Sequence, residues 1–108
     1  MQESEIQKEI LGYLQSRGYF AWKNYVGPIK MGHGFNVKNP RRGSPDIEAL
    51  KNGVFYGIEV KEPKRGVVSP DQKAWLRKLK EHGGIPIITT GLEDLITQLE
   101  DIKNKGTY

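Results

Sequence analysis

The chain has 108 residues, enough for one domain, 1–108, with a modest core. Its 17 Lys and Arg against 13 Asp and Glu leave a formal charge of +4, and the absence of cysteine excludes a disulfide scaffold or a thiolate metal centre. No apolar run approaches the roughly 18 residues of a membrane span, and Met1-Gln2-Glu3-Ser4-Glu5 is too polar for a secretory signal, so a soluble, intracellular (cytoplasmic) protein is expected.

In chain order, Ser4-x-x-Gln7 reads as a capping box, followed by Ile6, Ile10, Tyr13 and Leu14 at helical spacing. Arg17-Gly18 marks the end of that helix. The aromatic run Tyr19 to Tyr25 reads as a strand. Positions 26 to 44, nineteen residues rich in Gly, Pro, Asn and cations, show no clear period and are too long for an ordinary connection. Two alternating apolar runs then flank Asn52-Gly53, the strongest short signal for a two-residue type I′ hairpin. Ser69-Pro70-Asp71-Gln72 opens a second helix with a capping box and Pro at its first position. Ile85 to Thr89 is a short apolar strand, and Thr90-x-x-Glu93 caps a last helix reaching about Lys103. The expected order is α-β-β-β-α-β-α, an α/β fold with a mixed sheet.

The hairpin carries the chemistry. A two-residue loop pairs Lys51 with Val54 and Leu50 with Phe55, and continuing outward sets Asp46 opposite Glu59. Directly opposed like charges destabilise a sheet, and two carboxylates so placed call for a divalent cation between them. Alternation puts Lys61 on the Glu59 face and Val60 on the other. Charge is distributed unevenly too. No acid lies between Glu9 and Asp46, whereas Arg17, Lys23, Lys30, Lys38, Arg41 and Arg42 all do.

Pro45-Asp46 followed by Glu59-Val60-Lys61 matches the PD-(D/E)xK pattern, and the chain resembles the VRR-NUC (virus-type replication-repair nuclease) family within that superfamily. The matching pieces are Ser4-Glu5, Arg17-Gly18 followed by aromatics, Gly43-Ser44-Pro45-Asp46-Ile47, Ile58-Glu59-Val60-Lys61, and Gly66-Val67-Val68-Ser69-Pro70-Asp71-Gln72 leading to Trp75. The resemblance implies a restriction-endonuclease-like core and metal-dependent cleavage of DNA. Mg²⁺ or Mn²⁺ would be held by Asp46, Glu59 and the backbone carbonyl of Val60, with Lys61 orienting water or stabilising developing charge. It also implies that Glu5 brings an acid to the metal or its water shell, and that Gln72 holds the site or touches the substrate backbone.

Plainer roles stand beside these. Glu5 is also a first-turn carboxylate favoured by the helix dipole, and Glu9, one turn on, is its substitute. The capping box alone accounts for Gln72. Glu48 shares the Asp46 face and is a reserve ligand, with solvent exposure expected. His33 and His82 sit in Gly-rich surroundings and are read as non-catalytic, and Trp22 and Trp75 as core or core-edge. Lys30, Lys38, Arg41 and Arg42 are expected to rim the metal pair and meet phosphates, with Lys64 and Arg65 extending the patch; a solvated loop is the alternative. No motif reads base edges, so shape or a free end is the expected target. The expectation is a structure-selective endonuclease acting on branched DNA (a Holliday junction or flap) in DNA repair, working as a homodimer because symmetric cutting of two strands needs two sites. A non-cleaving DNA-binding module, or another PD-(D/E)xK enzyme such as an archaeal-type junction resolvase, are the alternatives.

Overall fold

The computed structural model describes residues 1–25, 27–64 and 66–105. Helix α1 (Glu3–Ser16) leads into strand β1 (Phe20–Lys23), and a two-residue strand β2 (Ile29–Lys30) follows. A single 3₁₀ turn (Gly32–Gly34) joins β2 to an equally short β3 (Asn36–Val37). Next come β4 (Ile47–Lys51), β5 (Val54–Val60), α2 (Pro70–Glu81), β6 (Ile85–Thr89) and α3 (Leu92–Lys105). The small β2–β3 hairpin falls in the stretch that shows no period in the sequence. Two-residue strands are too short to carry one. Without that hairpin the order is the expected α-β-β-β-α-β-α.

The main sheet runs β1-β4-β5-β6. β1, β4 and β5 form an antiparallel meander, and β6 joins β5 in parallel after crossing over through α2. Pro86 is tolerated in β6 because that strand is a sheet edge. The β4–β5 register is the expected one, Lys51↔Val54 through Ile47↔Ile58. Asn52 (φ 53°) and Gly53 (φ 78°) both adopt the left-handed conformation that a type I′ turn requires.

The pleat sorts residues to two faces. Ile47, Ala49, Tyr56, Ile58, Val60 and Ile87 join Ile6, Ile10 and Leu14 of α1 and Leu95 and Leu99 of α3 in one apolar cluster. Fully burying a side chain such as Ile10 or Leu14 is worth about 1.5–3 kcal/mol over leaving it exposed. The alternate positions face the other way, where Gly57 lies under Leu79 of α2 and beside Pro45. The sheet is therefore flanked by α1 and α3 on one side and by α2 on the other.

Three boundaries differ from the sequence reading. Helix α1 is capped by Gln2 rather than Ser4, and the Gln2 N–H donates to Glu5 Oε1 (3.3 Å). The box slides two residues earlier because a Glu at the third helical position completes it there as well as Gln7 would. β1 spans four residues, Phe20–Lys23, not the whole aromatic run, although the Asn24 N–H still donates to Asp46 O (2.8 Å) in the same register. At α3, Thr89 rather than Thr90 makes the side-chain link, donating to Asp94 Oδ2 (2.7 Å).

Candidate active site

The β4–β5 ladder stops at Ile47↔Ile58, and Asp46 sits in the bend just before β4 rather than in the strand. It still meets β5: Val60 N–H donates to Asp46 Oδ2 at 2.8 Å. One carboxylate oxygen thus replaces the backbone partner that the ladder no longer supplies. Asp46 is also held from behind. Asn24 N–H donates to Asp46 O (2.8 Å), and Asn24 Nδ2 donates to Ser44 Oγ (2.7 Å) and Pro45 O (2.9 Å). Asn24 and Ser44 are themselves buried. The turn into this segment needs Gly43, whose φ is +88° and whose missing Cβ would lie 2.9 Å from the Asp71 backbone at the start of α2.

Glu59 is 0% exposed, and neither carboxylate oxygen has a hydrogen-bond partner. Burial pushes its pKa up from 4.5 to about 9. The Asp46 carboxyl beside it adds to the rise; the Lys61 ammonium pulls the other way, and Glu3 adds a further push. Asp46, Glu59 and Lys61 are therefore brought within electrostatic reach of one another. The Lys61 N–H continues the parallel pairing by donating to Thr89 O (2.9 Å), and Gly66 folds back against the Lys61 Cβ.

A buried carboxylate without donors is costly unless it is protonated or meets a cation. Two adjacent carboxylates, one of them with both oxygens orphaned, are a hard-oxygen donor set of the type that Mg²⁺ or Mn²⁺ takes. Among the described residues no group of three or more His, Cys, Asp and Glu side chains is placed to hold a metal. The donors beyond Asp46 and Glu59 would come from backbone, water and substrate, which is the usual Mg²⁺ arrangement.

The remaining sequence candidates are placed as follows. Glu5 is exposed and occupied with the cap of α1; the helix-one acid whose charge reaches Glu59 is Glu3. With Gln2 as the cap, Glu3 becomes the first helical residue, so only a correct cap assignment would have singled it out. Gln72 Oε1 accepts the Ser69 N–H (2.9 Å) while Ser69 Oγ accepts the Gln72 N–H (3.2 Å), so the capping box forms as read. Glu48 is buried, not solvated, and its Oε1 accepts the Trp22 indole N–H (3.1 Å). Asn24 is absent from the sequence candidates: a lone Asn within an aromatic run carries no sequence signal.

Lys30, Lys38, Arg41, Arg42 and Lys64 are all exposed. Arg42 Nε makes a solvent-exposed ion pair with Asp71 (3.4 Å), a contact worth little on its own. Arg65 lies outside the described residues, as does Val26 at the start of the long connection.

No family model matches the sequence, and no curated protein does either. Solved structures do. One described as "VRR_NUC domain" superposes with a TM-score of 0.67 at 19% identity, covering 91% of this chain and 94% of its own. A second, "VRR_NUC domain protein", gives 0.60 at 14% identity over 94% and 87%. The chain has the restriction-endonuclease-like fold of these domains, a mixed sheet flanked by helices.

Proposed function

We propose that this chain is a member of the VRR-NUC family and a Mg²⁺- or Mn²⁺-dependent, structure-selective endonuclease that hydrolyses phosphodiester bonds in branched DNA, a Holliday junction or a flap. The observation that carries this reading is Glu59, a carboxylate wholly buried, with both oxygens unpartnered, beside a second carboxylate and within reach of an ammonium. A strand face that merely met solvent would not bury that group.

Asp46 Oδ1, Glu59 and the Val60 carbonyl would hold the metal. When bound, a divalent ion supplies a water of lowered pKa and polarises the phosphoryl oxygen. Asp46 has one oxygen fixed by the Val60 N–H, which sets the direction of the other. Lys61 stabilises charge on the phosphoryl group or orients the attacking water. We assign the helix-one acid of the family pattern to Glu3, with Glu5 the alternative, because it is Glu3 whose charge acts on Glu59. Gln72 serves by holding the start of α2, which abuts Gly43 and so the segment leading to Asp46. Lys30, Lys38, Arg41, Arg42, Lys64 and Arg65 contact phosphates and give orientation without reading sequence. A homodimer, an intracellular location and a role in DNA repair complete the reading; among the described residues no helix is long and apolar enough to cross a membrane.

The test is cleavage of labelled four-way junction, flap and plain duplex DNA, with Mg²⁺ or Mn²⁺ against EDTA, by wild type and Asp46→Ala. Metal-dependent cutting should fall by more than about 100-fold in the variant, beyond the effect of an outer-shell change. Tight binding to every substrate with no cutting under either metal would replace the enzyme by a non-cleaving module on the same fold. Equal cutting of all three substrates would remove the structure selectivity.

A further inference from the structure

The β2–β3 pair is an amphipathic ribbon that stands off the core. Neither strand joins the main sheet, and residues 28 to 38 are exposed throughout. The ladder pairs Ile29 with Val37 and Lys30 with Asn36, and the Met31 N–H extends it by donating to Phe35 O (3.0 Å). Alternation therefore sets Ile29, Met31, Phe35 and Val37 on one face, with Lys30 and Asn36 on the other. The apolar four are 39–59% exposed, Phe35 the most. His33 and Gly34 turn the tip in the left-handed conformation, which leaves Met31 and Phe35 as the outermost pair. A lone two-stranded hairpin is marginal in water, so an apolar face left open on one calls for a partner. The ribbon is also rooted at the candidate active site. Asn24, just before it, donates its N–H to Asp46 O. The buried Asn39, just after it, donates Nδ2 to Tyr25 O (3.1 Å) and accepts the Arg41 N–H (2.9 Å). Both ends are thus fastened beside Asp46, through Asn24 and its neighbour Tyr25.

The geometry points to a wedge: the ribbon tip inserts Phe35, backed by Met31, into the interrupted base stack at a DNA branch point. This rests on the nuclease reading and deepens it, giving the selectivity for branched DNA to the ribbon. Charge chooses the occupant. Lys30 and Lys38 lie on the ribbon and Arg41 and Arg42 beside it, and no acid falls between Glu9 and Asp46. A polyanion suits that surface, whereas a second copy would bring like charges together. Size agrees, since the major groove admits a two-stranded ribbon. So does side-chain chemistry, because Phe and Met are among the residues that proteins drive between base steps. Unstacking costs least where pairing is already broken, which favours a branch over continuous duplex. Reach ties the wedge to the cut. Met31 lies seven residues beyond Asn24, at most about 25 Å, which is about seven base pairs. The wedge therefore keeps the cut within that distance of the branch point.

The experiment uses the full chain in EDTA, so that nothing is cut. A four-way junction and a flap carry 2-aminopurine at the branch point, and a plain duplex carries it mid-helix. Binding should raise 2-aminopurine emission in at least one branched DNA, because insertion breaks its stacking, and should leave the duplex signal unchanged. Phe35→Ala, a truncation at an exposed ring, should abolish the rise and weaken binding to that branched DNA about five-fold or more, with duplex affinity unchanged. No rise with wild type, a rise that survives in Phe35→Ala, or equal weakening for branched DNA and duplex overturns the wedge. A sedimentation mass of twice the chain that falls to one in Phe35→Ala overturns it too, by giving the apolar face to a second copy. The two readings fail separately. A chain that passes in EDTA and never cuts in Mg²⁺ keeps the wedge and loses the nuclease, and one that cuts branched DNA without the emission rise loses the wedge alone.

Discussion

At the scale of single residues, Glu59 ties stability to pH and to metal. Its folded pKa is raised to about 9 from 4.5, so the native state holds a proton that the unfolded chain has released. Below 4.5 both states are protonated and the group makes no difference. Between 4.5 and about 9 the apoprotein should lose stability as pH rises, at most about 1.4 kcal/mol per pH unit. A divalent cation needs the ionised form, so its binding releases that proton and should raise the melting temperature more at pH 8 than at pH 6. Glu59→Gln should abolish both the slope and the metal effect. Thermal melts of both proteins, in EDTA and in Mg²⁺, measure all of this; a metal shift that survives in Glu59→Gln would place the ion elsewhere. Asn24 acts on the same site through geometry. Asn24→Leu strips partners from Ser44 and Pro45 in a buried setting and should cost about 1–3 kcal/mol in a denaturant melt. Cleavage should fall beyond what the lost stability explains, and full activity at a temperature where the variant stays folded would show that Asp46 needs no such support.

Among the elements, what could be read from sequence divides along physical lines. The β4–β5 hairpin was legible to the residue because Asn-Gly admits one turn and the turn fixes every pair beyond it. Asp46, Glu59 and Lys61 were legible for the same reason, although the register fails at its outermost pair and a side chain takes over the ladder bond there. The α2 start was equally plain, since Ser, Pro and Gln each favour one position of a helix N-terminus. Helix α1 was less so: Ser4 is the residue type that favours a cap, yet Gln2, two residues earlier, holds it. That two-residue offset put Glu5 in the sequence reading where the structure has Glu3. The buried Trp22–Glu48 bond was illegible, because a Glu on an alternating strand reads as solvated until the neighbouring strand is known. The β2–β3 pair was hidden by its brevity.

For the whole molecule, the radius of gyration is 14.5 Å, above the about 13 Å usual for this length. That is in keeping with residues 28 to 38, which are exposed throughout and carry Lys30 and Lys38 away from the core. If that segment grips the phosphate backbone, log affinity for duplex should fall linearly with log salt, by about 0.9 per phosphate contacted. Lys38→Ala should reduce the slope by about one and weaken all sequences alike. A slope unchanged by that substitution would leave the segment as a solvated loop. The homodimer is tested by mass: a single 12.3 kDa species, with and without DNA, would remove it.

Val60 and Lys61 are neighbours in sequence, yet their amides are secured by different parts of the chain. The Val60 N–H is held by Asp46, across a hairpin whose strands are joined by two residues, while the Lys61 N–H is held by Thr89 of β6, which arrives only after α2 has crossed over. Short loops close before long ones, because closure entropy grows with length. During refolding the carboxylates should therefore meet while Lys61 is still untethered, and the site is assembled in two instalments. Pulse-labelled hydrogen exchange can separate them: protection at the Val60 amide should precede protection at Lys61, and simultaneous protection would mean that hairpin and crossover close in a single step.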